Sequence, residues 1–145
     1  MEATSESAKT TIYAIANQKG GVGKTTTAVN LAACVAEAGY PTLLIDIDPQ
    51  ANATVGLGRS KNEEHTIYEV LIGDSTIEQA TLPTEIENLK IVPSTPDLSG
   101  ANVELPRVAG SEQILRAALA PLRGQYRFIF FDCPPSLGPL TINAL

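Results

Sequence analysis

Apolar residues along this chain fall into short, nearly unbroken runs separated by longer stretches with helical spacing. Residues 11–17 (TIYAIAN), 41–46 (PTLLID), 89–93 (LKIVP) and 126–132 (YRFIFFD) read as strands, the first two nearly unbroken in their apolar character. Strands of that kind are buried on both faces, as in parallel sheets covered by helices above and below. Between the first two runs, Ala28, Leu31, Ala32, Val35 and Ala36 recur at helical spacing, which predicts a helix from Lys24 with that face inward and Gly39 as its stop. Ile114, Leu115, Ala118 and Leu119 mark an amphipathic helix over 111–122. Shorter helices are predicted at 66–72 and 75–80, each opened by a hydroxyl cap. Residues 47–61, rich in Gly, Asn and Asp, read as a loop with short turns. The alternation predicts an α/β fold, a doubly wound, mostly parallel sheet with helices on both faces, opening with a βαβ-type unit.

Composition narrows the class without changing the fold. The 145 residues are 43% hydrophobic and 18% charged, the balance of one globular domain. No apolar run approaches the ~20 residues that cross a bilayer. Residues 1–10 are polar and small, without the apolar core of a secretory signal, and read as a flexible tail ahead of a domain portion spanning 11–145. Cys34 and Cys133 have no metal-ligand spacing and are expected to be small buried hydrophobes in a reduced, cytoplasmic chain. The net charge of −6 and the scattering of ten Lys and Arg argue against a nucleic-acid face. Arg107, Arg116, Arg123 and Arg127 are expected on the solvated surface, and His65, the single histidine, as a solvated residue ahead of a helix.

The segment Asn17-Gln18-Lys19-Gly20-Gly21-Val22-Gly23-Lys24-Thr25-Thr26 lies between the first predicted strand and the first helix. A phosphate-binding loop occupies that place. Glycines let the main chain curl so that successive N–H groups converge on phosphate oxygens, and the helix N-terminus adds roughly half a positive charge. On this reading residues Lys19 to Thr26 hold the phosphates, Lys24 reaches the terminal ones, and the Thr25 hydroxyl ligates Mg²⁺. The competing account is a glycine-rich turn with incidental lysines. The motif also departs from the ordinary G-x-x-x-x-G-K-[ST] form: Gln18 stands at the first glycine position, and a second lysine, Lys19, precedes the glycine pair.

Three acidic residues fall at or just after predicted strand ends: Asp46, Asp48 and Asp132. Open α/β sheets bind ligands at the carboxyl ends of their strands. Asp46 and Asp48 are two residues apart, so an extended chain turns them to the same side. Phe128-Ile129-Phe130-Phe131-Asp132 has the form of a Walker B strand. A magnesium-bound triphosphate needs carboxylates to hold the metal's waters, and hydrolysis needs a group to orient the attacking water.

Lys19-Gly20-Gly21-Val22-Gly23-Lys24-Thr25 resembles the deviant Walker A motif of the ParA/MinD ATPases. Together with Asp46-Ile47-Asp48-Pro49-Gln50-Ala51-Asn52-Ala53-Thr54, Pro93-Ser94-Thr95-Pro96-Asp97-Leu98-Ser99-Gly100-Ala101 and Asp132-Cys133-Pro134-Pro135-Ser136-Leu137-Gly138, it makes the chain similar to the ParA/Soj family of P-loop NTPases in order and spacing. The resemblance implies a Mg²⁺-dependent ATPase of chromosome or plasmid partition, cytoplasmic and nucleoid-associated at full length, with no membrane partner. It implies that Lys24 binds β- and γ-phosphate, Thr25 ligates Mg²⁺, Asp46 and Asp132 hold its water shell, and Asp48 positions the attacking water. Lys19 would reach the phosphates of a partner copy in an ATP-dependent homodimer, and Asp132 to Gly138 would sense the γ-phosphate. A ParB-like centromere-binding protein is the implied partner, along with non-specific DNA. Family members continue well past Leu145, so the sequence is expected to be shortened, lacking the C-terminal DNA-binding and base-binding parts.

Two other readings keep the nucleotide. A MinD-like membrane-cycling ATPase is disfavoured by Pro49-Gln50-Ala51-Asn52, and a nucleotide-binding scaffold without useful catalysis would show no phosphate release. Cys34 and Cys133 do not reproduce the ligand motifs of iron–sulfur carriers related to the nitrogenase iron protein. Gln50 and Asn52 are compatible with nucleotide or partner contact and equally with an ordinary polar loop.

Overall fold

A computed structural model describes residues 9–15, 22–99 and 111–134, with the side chains of residues 22, 24 and 111–113 excepted. The strands are β1 (Thr11–Ile15), β2 (Thr42–Asp46), β3 (Leu82–Pro83), β4 (Leu89–Val92) and β5 (Phe128–Asp132). The helices are α1 (Val22–Glu37), α2 (Asn52–Gly56), α3 (Ile67–Leu71), α4 (Ile77–Ala80) and α5 (Ser111–Leu119), the last continued by a 3-10 turn, Ala120–Leu122. One sheet has the order β1-β5-β2-β4-β3. Four strands are parallel, and the short β3 runs antiparallel on β4. The expected doubly wound α/β sheet is therefore present, with β5, the last of the described strands, between β1 and β2.

Side chains alternate across the sheet with the two-residue period of a strand. Leu43, Ile45, Ile129, Phe131 and Val92 face one core with α3, α4 and α5, whose Ile67, Val70, Ile77, Leu115 and Leu119 cover them. Leu44, Phe130, Leu89 and Ile91 face the other core, under α1 and α2. All five residues of β2 are buried, as a strand sandwiched between two helix layers requires.

Helix α1 meets the sheet along Ala28, Ala32 and Ala36, each fully buried. Spacing of four puts three methyl groups on one stripe, and small side chains let the helix lie close to the sheet. This stripe corrects two expectations. Leu31 is 47% exposed rather than inward, and Cys34 is exposed rather than buried. Cys34 is two residues from both Ala32 and Ala36, about 200° around the helix from each, so closing the alanine stripe on the sheet turns the thiol outward. Cys133 is fully buried as expected. Gly39 ends the helix as predicted, at φ 99°. Its N–H bonds to Ala36 O and that of Tyr40 to Val35 O, a Schellman closure.

The shorter elements differ more from expectation. Within 47–61 the chain forms α2, entered through Ala51 in the left-handed region, with Ala53 and Thr54 buried beneath it. Thr66 caps α3 in a capping box with Glu69. The cap of α4 is Thr76, whereas Ser75 bonds to His65 Nδ1 at 2.7 Å, so His65 is a part-buried tether between two segments. Tyr126 and Arg127 precede β5 instead of starting it. Arg127 is also held more firmly than a solvated residue: it donates to Lys9 O and Thr11 Oγ1 and lies over the Phe128 ring. Arg107, Pro135 and residues 136–145 lie outside the described residues.

Candidate functional site

Asp46 and Asp132 are the last residues of β2 and β5, and they are register partners in the parallel ladder. Ladder bonds continue one step past them, Ile47 N–H to Asp132 O and Cys133 N–H to Ile15 O, both 3.0 Å. Three strands thus end in line, and two carboxylates project from the ends of neighbouring strands. Both aspartates are fully buried. In the first turns of α1, Thr25 donates from Oγ1 to Asp132 Oδ2 at 3.2 Å. This contact joins the helix that follows the glycine-rich segment to the Walker B-like strand, 107 residues away.

Asp46 accepts three hydrogen bonds. Its Oδ2 receives the Thr54 N–H at 3.0 Å and the Thr54 hydroxyl at 2.7 Å, and its Oδ1 receives the Asp48 N–H at 3.1 Å. These donors favour the carboxylate. Burial opposes them and dominates: it pushes the pKa from 3.8 to about 7, and the neighbouring Asp132 charge adds to the rise. Two buried acids side by side at the carboxyl ends of β5 and β2 disfavour each other's ionisation.

Asp48 sits just beyond the strand and is only partly buried. Its Oδ1 accepts the Gln50 N–H at 3.0 Å and its carbonyl accepts the Ala51 N–H at 2.9 Å, which folds residues 48–51 into a turn. Asp46 and Asp48 are therefore brought together through a main-chain bond, not through continuation of an extended strand.

Of the residues expected to form the site, Thr25, Asp46, Asp48 and Asp132 converge. Thr25 and Thr26 also line a cleft of ≈ 330 Å³ between α1 and α2, with Val29, Asn30, Asn52 and Gly56. Asn52 thus borders the site, and Gln50 is exposed. Gly23 lies in the first turn of α1, where its carbonyl accepts the Thr27 hydroxyl at 2.8 Å. Lys19, Gly20 and Gly21 lie outside the described residues, as do the side chains of Val22 and Lys24.

Sequence reasoning missed Thr54 and Ser94. Ser94 N–H donates to Thr54 Oγ1 at 2.9 Å, and Ser94 Oγ donates to Asp48 O at 2.6 Å. Both residues are fully buried. The available signal was a hydroxyl among small apolar neighbours in Ala53-Thr54-Val55 and another at the end of the apolar 89–93 run.

A carboxylate pair and a hydroxyl are hard oxygen donors, the set that suits Mg²⁺. Among the described residues no group of three or more His, Cys, Asp or Glu could hold a metal unaided. No helix among the described residues is long and apolar enough to cross a membrane.

A family model described as an AAA domain matches residues 10–145. The chain is 56% identical over 135 residues to the chromosome partitioning protein ParA of Myxococcus xanthus, covering 92% of this chain and 48% of that protein. It is 51% identical over 135 residues to the sporulation initiation inhibitor protein Soj of Bacillus subtilis, covering 92% and 53%. The chain spans about half the length of these curated relatives. Among solved structures, cobyrinic acid a,c-diamide synthase from Mycobacterium smegmatis with bound ATP analog and magnesium matches with a TM-score of 0.83 and 43% identity, covering 94% of this chain and 56% of that one.

Proposed function

Since the chain belongs to the AAA domain family and, within it, to the ParA/Soj group, we propose that it forms the phosphate-binding and catalytic half of a Mg²⁺-dependent partitioning ATPase. The observation that carries this reading is the meeting of Thr25, Asp46 and Asp132 at the ends of parallel strands, immediately after a lysine-flanked glycine run. Identity is higher to the ParA relative than to the synthase, which favours partition as the role. The bound ATP analog and magnesium of that synthase support ATP and Mg²⁺ as ligands of the same site.

In this mechanism residues Lys19 to Thr26 wrap the triphosphate with main-chain N–H groups, and Lys24 neutralises its terminal oxygens. The Thr25 hydroxyl would hold Mg²⁺, and the Asp46 and Asp132 carboxylates would accept hydrogen bonds from its waters. Mg²⁺, when bound, offsets charge on the β- and γ-phosphate oxygens. Asp48, partly exposed beside them, accepts a hydrogen bond from the attacking water and orients it. Lys19 is the residue that reaches a second copy, so its contribution exists only with nucleotide present and ATP favours the dimer. The whole protein works in the bacterial cytoplasm with a ParB-like partner and non-specific DNA.

The test separates binding from chemistry. Lys24→Ala should abolish nucleotide binding, whereas Asp48→Ala should bind ATP and dimerise yet release phosphate barely above background. Normal turnover in Asp48→Ala would remove Asp48 from this role.

A further inference from the structure

The two aspartates given separate tasks above are held by a common support, Thr54 and Ser94. Ser94 follows β4, one strand away from Asp46 in the sheet, and is fully buried. Its hydroxyl donates to the carbonyl of Asp48 at 2.6 Å, and its N–H donates to Thr54 Oγ1 at 2.9 Å. A hydroxyl has one proton. With its lone pair facing the Ser94 N–H, Thr54 directs that proton to Asp46 Oδ2, 2.7 Å away, alongside its own N–H at 3.0 Å.

We propose that Thr54 and Ser94 are positioning residues of the hydrolysis site: Ser94 fixes Asp48 by its carbonyl and, through the Thr54 hydroxyl, fixes the carboxylate of Asp46. The proposal rests on the nucleotide reading of the site and adds the parts that hold its acids still. The physical need is specific. A buried carboxylate beside a second one is repelled by it and can relieve the repulsion by rotating or by taking up a proton. Two donors from one residue, on a helix anchored to β4, oppose both responses. Because Oδ2 is saturated by Thr54 and Oδ1 takes a single N–H, Oδ1 is the atom left to face a hydrated cation. The Ser94 hydroxyl meanwhile fixes the turn 48–51, whose geometry aims the Asp48 side chain. Outer partners of this kind change metal affinity or activity about 10- to 100-fold when removed.

The experiment uses the full-length protein, with a fluorescent ADP analogue titrated with Mg²⁺ and steady-state ATP hydrolysis measured alongside. Thr54→Val keeps the shape and removes the hydroxyl. It should raise the half-saturating Mg²⁺ concentration about tenfold and leave binding in EDTA unchanged, while Thr54→Ser should restore the wild-type value. Ser94→Ala should lower kcat about tenfold at unchanged KM. If Thr54→Val does not fold, Ser94→Ala decides: a wild-type kcat overturns the proposal. A folded Thr54→Val with wild-type Mg²⁺ dependence also overturns it. Failure of the wild type to show Mg²⁺-dependent nucleotide binding would instead overturn the nucleotide reading, and the proposal with it.

Discussion

Asp46 links the stability of the nucleotide-free protein to pH, and the direction is opposite to that of an ordinary paired carboxylate. Unfolded, Asp46 loses its proton near its ordinary value of 3.8; folded, burial holds the proton until about pH 7. Between those limits the native state binds one proton more than the unfolded state, so stability falls as pH rises. The contribution is fully present below pH 3.8 and is gone above about pH 7. A gap of about three pH units corresponds to ~4 kcal/mol in all, or ~1.4 kcal/mol per pH unit inside the window. Asp46→Asn cannot ionise and shares every other titrating group with the wild type. It should carry a constant loss of about 1–3 kcal/mol, since an amide cannot accept all three donors, but no Asp46-dependent slope. Urea unfolding in EDTA at half-unit steps from pH 4.5 to 8.5 measures both. The wild-type midpoint should drop relative to the variant as pH rises and level off above pH 7.5. Parallel profiles across that range would refute the assignment of a buried, proton-holding Asp46.

Two further outcomes follow from the helix that carries Thr25. Gly39→Ala forces a Cβ into a φ of 99° with no atom within 4 Å to strike, so its cost is conformational, about 1–2 kcal/mol, and an unchanged thermal midpoint would contradict the Schellman closure. In the native protein an alkylating reagent should modify Cys34 quickly and Cys133 only on unfolding; equal rates by mass spectrometry would contradict the outward turn of Cys34 and the burial of Cys133.

The fold class was legible in the residues because its cause is local. The unbroken apolar run of β2 is satisfied between two helix layers, where all five residues are buried, whereas β1, at the end of the sheet, leaves Tyr13 48% exposed and is not covered on both faces as its apolar run suggests. Gly39 and Thr66 mark helix boundaries through chemistry within a few residues of themselves. Asp46, Asp48 and Asp132 were likewise found from their positions at strand ends. The order of the strands was not legible, since nothing in β5 states that it enters between β1 and β2. The side of α1 that faces the sheet was legible only in part: helical spacing put Ala28, Ala32, Ala36 and Val35 inward, as they are, but also Leu31, which the fold leaves exposed. The closeness with which α1 packs on the sheet selected Ala28, Ala32 and Ala36 and turned Leu31 and Cys34 outward.

Sequence alone therefore determined the main parallel strands and the long helices and singled out the acidic residues at strand ends, because these depend on neighbours along the chain. Tertiary structure decided what those acids experience. The pairing of β2 with β5 set Asp46 against Asp132, and the placement of α2 over the end of β4 brought Thr54 and Ser94, 40 residues apart, into contact. A carboxylate's proton affinity and orientation depend on which groups surround it in space. Those groups come from four separate segments that only the folded sheet brings together.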